Sequence, residues 1–342
     1  MPDILVIGGG FSGCTAALEL AQYGFRVTIV EKSQSIGGKV RHYGCKATND
    51  CLNCGVCLAN GLWKKTETHP LIAIYTNTAI VDLVEDNSFF SAICEGKPGS
   101  GSRISRFSTG GFSAVIIAVG FERAAENSFG NLELKSKNII TGFDLEKLLL
   151  NRNGKLFSSI LAEPPGTIAF VQCFGSRDIK EKAFYCSRVC CVYAARMARA
   201  IKYLYPETHI TFFYMDLQFV DNNQYFREMS ESGFEFIRSR PIKIMQKGET
   251  ASLEYENPEG GGLSERGFDL VVLSEGVRPA SDSENITEFC ALGLGENGFL
   301  REVMPGAKTG VYVIGCASGP KKIEECHAEA VALAGELKER YE

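Results

Sequence analysis

The chain has 342 residues, 45% of them apolar and 23% charged. This is the balance of a soluble globular protein with room for two ordinary domains or one large one. A net charge of −5 leaves no broad basic footprint and argues against nucleic acid as a partner. The longest apolar runs, such as Ser113–Val119, fall far short of the ~20 residues that span a bilayer. Met1-Pro2-Asp3 leads into a strand with no charged leader or cleavage site, so a cytoplasmic protein without membrane insertion is expected. Thirteen cysteines, an odd count without a secretion signal, point away from a disulfide framework and towards metal, cluster or redox chemistry.

Ile4-Leu5-Val6-Ile7 reads as a buried strand. Gly8-Gly9-Gly10-Phe11-Ser12-Gly13 follows at once, and Thr15–Gln22 has helical character closed by Gly24. Arg26–Val30 is a second strand ending at Glu31. The order is strand, G-x-G-x-x-G, helix, strand, acid, which is the context that makes the glycine pattern a dinucleotide site. Gly8 allows the tight turn, Gly10 lets the backbone approach a pyrophosphate, and Gly13 permits close helix–strand packing. The phosphates would sit at the positive end of the helix, and Glu31 would accept hydrogen bonds from a ribose. The plainer reading of Glu31 is a solvated carboxylate at a strand end.

Three segments carry a first resemblance. Lys32-Ser-Gln-Ser-Ile-Gly37-Gly38-Lys39-Val40 resembles the acid-to-Gly-Gly-Lys run of two-dinucleotide-binding-domain flavoproteins such as thioredoxin reductase. Ser113–Gly120, ending in Ala118-Val119-Gly120, and Gly310–Ala317, containing Gly315-Cys316, are similar to two further flavin-contacting segments of that family. Where the family carries an aspartate that holds the ribityl chain, this sequence has Cys316. The resemblance implies FAD and a C-terminal helix, Ile323–Lys338, whose N-terminus points at the flavin.

Such proteins carry a second Rossmann unit for a nicotinamide nucleotide. The expected strand, Gly166–Cys173, is present, but the sequence after it reads Phe174-Gly175-Ser176-Arg177-Asp178. One glycine stands where three are needed, so a pyrophosphate loses its close backbone approach. Instead Cys173, Cys186, Cys190 and Cys191 form a C-x12-C-x3-C-C series. Cys173 is placed at the C-terminal end of a strand, where α/β sheets bind ligands. Cys186 and Cys190 share a face if that stretch is helical. Adjacent Cys190 and Cys191 can ligate one cluster only near a helix start, and a good helix begins at Cys191. Four thiolates suit a 4Fe-4S cluster. Buried cysteines acting as small hydrophobes, or a zinc site, are the alternatives.

The segments Val171–Asp178 and Tyr185–Ala194, with Thr48–Cys51 and Gly315–Pro320, resemble the heterodisulfide reductase A-type family over nearly the whole chain. The resemblance implies FAD in the first Rossmann unit, a 4Fe-4S cluster on Cys173, Cys186, Cys190 and Cys191, and partners of the B and C type. It also implies a homodimer. No ferredoxin-type C-x2-C-x2-C-x3-C-P run is present, so the chain looks like the short form found in sulfur oxidisers. The A-type component of the quinone-interacting oxidoreductase of sulfate reducers is a similar relative.

Cys45, Cys51, Cys54 and Cys57 make a second thiol group, readable as a further iron–sulfur or zinc site, a redox dithiol, or spare thiols. Cys14, Cys94, Cys290, Cys316 and Cys326 stand isolated, His327 reads as structural, and no catalytic base is assigned. The expected organisation is an α/β protein of two Rossmann-type domains. Residues 1–142 and 280–342 form the FAD domain and residues 150–278 an inserted, degenerate domain carrying the cluster. Within the insert, Gln224–Ser232 reads as a helix and Gly248–Gly262 as a turn-rich hairpin. The function expected is an electron-transfer oxidoreductase subunit in dissimilatory sulfur metabolism. The alternatives are an NAD(P)H-dependent disulfide reductase and a zinc-stapled, flavin-free binding protein.

Overall fold

A computed structural model describes residues 2–96, 105–124, 136–150, 156–161, 163–218, 228–229, 231–290, 292–302 and 310–342. The chain divides into two compact units. One comprises Met1–Arg41, Gly55–Glu122 and Arg278–Glu342; the other comprises His42–Cys54 and Arg123–Val277.

The first unit contains β1 (Asp3–Ile7), α1 (Phe11–Gln22), β2 (Arg26–Val30), α2 (Leu62–Thr68), β3 (Ile72–Tyr75), β4 (Thr78–Asp86), β5 (Phe89–Gly96) and β6 (Ser105–Ile117). Among the described residues these strands lie in the order β3-β2-β1-β6-β5-β4, and Val311–Val313 adds a seventh strand beside β6. β1, β2 and β3 are parallel, with Ile4 opposite Val27 and Val27 opposite Ile72. β1 reads as an unbroken apolar run, Ile4–Ile7, because both its faces are covered. Asn87 and Ser88 take positive φ (49° and 67°), the two-residue turn that suits a twisted hairpin between β4 and β5. β6 changes partners along its length. Its first half runs antiparallel to β5 and its second half parallel to β1.

One face of this sheet, with Ile4, Val6, Ile29 and Ile116, packs on Leu20 of α1 and on Leu333 and Leu337 of the C-terminal helix Ile323–Tyr341. Burying each such leucine is worth about 1.5–3 kcal/mol. The other face, with Leu5, Ile7 and Ile117, packs on Phe90, Phe112 and Ile286.

The second unit holds β7 (Ile139–Thr141), α3 (Gly142–Leu150), β8 (Thr167–Phe174), α4 (Cys190–Leu204), β9 (His209–Phe213), β10 (Glu235–Ile237), β11 (Lys243–Lys247), β12 (Thr250–Glu256), β13 (Leu263–Phe268) and β14 (Leu270–Glu275). Five of the strands form a parallel sheet in the order β10-β9-β8-β14-β7. Phe170, Phe212 and Phe236 stack across three neighbouring strands, with ring centroids 5.1 Å apart in each pair. α3 and α4 cover that face, whereas the β11–β13 meander covers the other through Leu253, Tyr255 and Phe268.

Gly248–Gly262 is therefore not a plain hairpin: Thr250–Glu256 is the central strand of an antiparallel three-stranded sheet, with turns on either side. The buried alternation of Ala251, Leu253 and Tyr255 is its signature. The expected helix at Gln224–Ser232 falls largely outside the described residues; of the Gly/Ser-rich stretch Gly96–Gly111, which reads as an exposed hairpin tip, residues 97–104 lie outside them and residues 105–111 belong instead to β6.

Candidate functional site

The first unit builds its site around the β1–α1 turn. Gly8 has φ +104°, and a Cβ there would lie 2.4 Å from the Ala118 carbonyl oxygen. A Cβ on Gly13 would stand 2.0 Å from the Gly8 carbonyl oxygen. Both positions thus demand glycine, one for conformation and one for close approach. Gly10 differs: among the described residues a Cβ there meets no atom within 4 Å, so that side of the turn is open. Phe11, Ser12 and Gly13 open α1, whose first N–H groups have no partner within the helix.

Glu31 is buried, and its two oxygens accept hydrogen bonds of 2.7 Å from the N–H groups of Gly9 and Ser33. Each oxygen keeps a further lone pair for a ribose hydroxyl. Lys32 pairs with Asp282 at 3.1 Å. Gly37 donates its N–H to the Gly9 carbonyl at 2.7 Å, which lays Gly38 against Gly10. Lys39 bonds the Phe121 carbonyl, and Val40 packs among apolar neighbours with Phe11 and Ile36. Ala118-Val119-Gly120 leaves β6 beside this turn; Gly120 has φ +77° and open space where a Cβ would be. Gly315 and Cys316 lie in a 3-10 turn, Gly315–Ser318. An open phosphate turn, a buried carboxylate 22 residues on and two further loops around it fit a dinucleotide of the FAD type.

The second unit gathers the mid-chain cysteines. Cys173 sits near the end of β8 with φ +60°, and Cys190 and Cys191 are the first residues of α4. All three are almost wholly buried. Cys186 is half-buried and precedes the helix, because Arg188 takes φ +60° and breaks any continuous turn. The helical i, i+4 reading of Cys186 and Cys190 is thereby corrected. The Cys186 sulfur accepts the Arg188 N–H at 3.3 Å. Burial, then the charge of Cys191, pushes the Cys173 thiol up to about 11, against the pull of Arg177. Cys190 is raised by its hydrogen bond to Cys191, by burial and by the charges of the other three sulfurs; Cys191 is lowered by the same hydrogen bond. Three buried sulfurs, with the half-buried Cys186 near them in the sequence, are a soft donor set that a cationic core would stabilise as thiolates.

Among the described residues, no group of three or more His, Cys, Asp or Glu side chains converges so as to hold a metal ion. A lone tetrahedral ion with metal–sulfur bonds of about 2.3 Å needs sulfurs within about 4 Å of one another.

Cys45 and Cys51 are exposed and Cys54 half-buried in the second unit, while Cys57 falls in the first. Arg240 pairs with Asp178 and Arg238 bonds the Met215 carbonyl at 3.1 Å, so both brace loops.

One residue escaped the sequence. Glu275 ends β14 beside β8, at the point where the sheet's connections diverge. Burial raises its carboxyl to about 7, although Arg123 lies 3.3 Å away and opposes the shift. Lys46 and Glu146 form a buried ion pair in the same unit. A charged residue closing an apolar strand carries no motif, and its burial depends on the fold.

Residues 6–59 match the family described as an NAD(P)-binding Rossmann-like domain. The second of the A-type iron–sulfur subunits of the CoB–CoM heterodisulfide reductase of Methanopyrus kandleri is 29% identical over 96% of this chain and 63% of its own. The A-type subunit of the ferredoxin:CoB–CoM heterodisulfide reductase of Methanosarcina mazei is 28% identical over 98% of this chain and 52% of its own. The chain thus spans between half and two thirds of the length of these curated relatives. Among solved structures, thioredoxin reductase from T. acidophilum matches with a TM-score of 0.65 and 16% identity, covering 99% of each chain. The fold class is accordingly thioredoxin-reductase-like, with two Rossmann-type domains, and the named relatives are oxidoreductase subunits.

Proposed function

We propose that this chain, a relative of the A-type heterodisulfide reductase subunits over nearly its full length, is an oxidoreductase subunit that carries FAD in its first unit and a 4Fe-4S cluster in its second. The observation that carries the reading is in the second unit. A Rossmann sheet is retained, its glycine turn is gone, and Cys173, Cys190 and Cys191 are buried at the C-terminal end of β8 and the start of α4.

A flavin exchanges electrons in pairs or singly, and a cluster carries them one at a time. The chain's own residues fix where each would sit. Gly8, Gly10, Phe11, Ser12 and Gly13 offer backbone to a pyrophosphate at the start of α1. Glu31 takes the ribose, with Lys32, Gly38, Lys39 and Val40 closing one side. Ala118, Val119, Gly120, Gly315 and Cys316 line the flavin end. Cys173, Cys186, Cys190 and Cys191 supply the four thiolates, and the Arg188 N–H on the Cys186 sulfur stabilises negative charge there. The partners in this reading are B- and C-type heterodisulfide reductase subunits and a second copy of the chain. The setting is the cytoplasm, in dissimilatory sulfur metabolism.

The thioredoxin-reductase-like fold keeps one competitor in view, an NAD(P)H-dependent disulfide reductase. The single glycine, Gly175, left in the mid-chain turn argues against it. The test is low-temperature EPR of anaerobically purified, dithionite-reduced protein. A cluster signal is expected, and Cys186→Ala should abolish it while keeping the flavin absorbance. A flavin-loaded wild type without that signal, or rapid flavin bleaching by NADPH in the isolated chain, would overturn the assignment.

A further inference from the structure

Two cysteines that look unrelated in the sequence meet in the first unit. Cys316 lies in the 3-10 turn Gly315–Ser318, and Cys326 lies in the first turn of the C-terminal helix. Their sulfurs are 3.9 Å apart, and both residues are buried, at 9% and 6% exposure. Two contacts fix the turn. A Cβ on Gly315 would fall 2.2 Å from Ser12 Oγ, so the turn packs directly on the start of α1. The Gly315 N–H also donates to Glu329 Oε2 at 2.6 Å, farther along the C-terminal helix. The helix is itself held at its start by the Lys322 N–H, which donates to Glu325 Oε2 at 2.7 Å. The apolar neighbours are Phe11, Leu18, Ile36 and Leu62.

A hydrogen bond between the sulfurs lowers the Cys316 thiol and raises that of Cys326, so Cys316 is the more acidic of the two. A disulfide is about 2.05 Å long, and closure therefore needs the sulfurs to approach by about 1.9 Å. Their burial bars a bulky external disulfide from attacking either sulfur, which points to an electron partner inside the same unit.

We propose that Cys316 and Cys326 form a dithiol/disulfide couple that exchanges two electrons with a flavin bound by the first unit; this rests on the FAD reading given above. In the oxidising direction both S–H bonds break and the Sγ–Sγ bond forms. Two electrons and two protons pass to an oxidised flavin, which becomes the two-electron-reduced form. In the reverse direction reduced flavin returns them and the S–S bond opens. The couple gives the flavin end of the chain a two-electron store separate from the four cysteines of the second unit.

The test uses the full-length, flavin-loaded chain, poised anaerobically over a range of potentials with dithionite, ferricyanide and small mediator dyes that exchange electrons with the flavin. Samples are quenched in acid, alkylated and mapped by peptide mass spectrometry. A peptide pair joined through Cys316 and Cys326 is expected at the oxidising end and should vanish at the reducing end. Cys14, buried in the same cluster, should remain a single alkylatable thiol throughout. Dithionite titration of the wild type should consume two more electrons per chain than that of Cys326→Ser before the flavin is fully bleached. Free Cys316 and Cys326 at every poise in a flavin-loaded chain would overturn the couple, with no need of the variant. Absence of flavin from the purified chain would instead overturn the cofactor reading, and with it the partner proposed here.

Discussion

Replacing Gly10 by alanine separates the fold from the cofactor. Gly10 has φ −74° and ψ −168°, extended backbone that any residue adopts, and the added methyl touches no protein atom within 4 Å. The cost to the apoprotein is limited to a poorer N-cap for α1, about 1 kcal/mol at most, or a melting temperature lower by about 2–4 °C. The same methyl stands where a pyrophosphate would approach the turn. Loss of one charge-assisted amide–phosphate hydrogen bond is worth about 1.5–3 kcal/mol, which weakens FAD binding ~10- to ~150-fold. Thermal melts of the deflavinated chain and an FAD titration of the same material read the two effects separately. A Gly10→Ala variant that binds FAD within twofold of the wild type would refute the placement of the phosphates on this turn.

Other outcomes concern the second unit. The Glu275 carboxyl is raised to about 7 by burial, so its acid form is favoured in the fold. That contribution is complete below about pH 4.5 and is lost as pH rises through about 7, at most about 3 kcal/mol. Urea unfolding at pH 5 and pH 8 should show a loss in the wild type that Glu275→Gln lacks; parallel pH profiles would contradict this. Lys46→Ala leaves the Glu146 carboxylate buried without its partner and should cost about 3–5 kcal/mol, whereas the double change Lys46→Met with Glu146→Leu should recover most of it. If the single and double variants unfold at the same urea concentration, the pair is not the cause. Phe212→Ala removes the middle ring of the Phe170–Phe212–Phe236 stack and should cost about 3–5 kcal/mol in the same assay; a loss under about 1 kcal/mol would contradict its core role.

The parts of the fold written in local signals were legible in the sequence. β1, the glycine turn, α1 and β2 follow one another without a break from Asp3 to Val30, and Gly8 and Gly13 are each required there, by conformation and by close approach. The start of α4 at Cys190 was equally readable, since Cys191–Leu204 is strongly helical. Segments whose structure depends on distant partners were less so. Thr250–Glu256 is short, flanked by Gly248 and Gly260–Gly262, and becomes a central strand only because Lys243–Lys247 and Leu263–Phe268 flank it. Arg188 gives no sign in its chemistry of the left-handed conformation that takes Cys186 out of the helix.

Sites assembled from separated segments were harder still. Cys316 and Cys326 are ten residues apart, and their meeting depends on how the Gly315 turn is folded back on the C-terminal helix. Glu275 is one acid among 41 acidic residues, and only the neighbouring strand and helices make it a buried one.

The most direct test of the account is an assay of iron and acid-labile sulfide in chain purified without oxygen, measured beside its flavin. About four irons and four sulfides per chain, with bound FAD, are expected. A flavin-containing chain devoid of sulfide, or one carrying zinc in its place, would contradict the account.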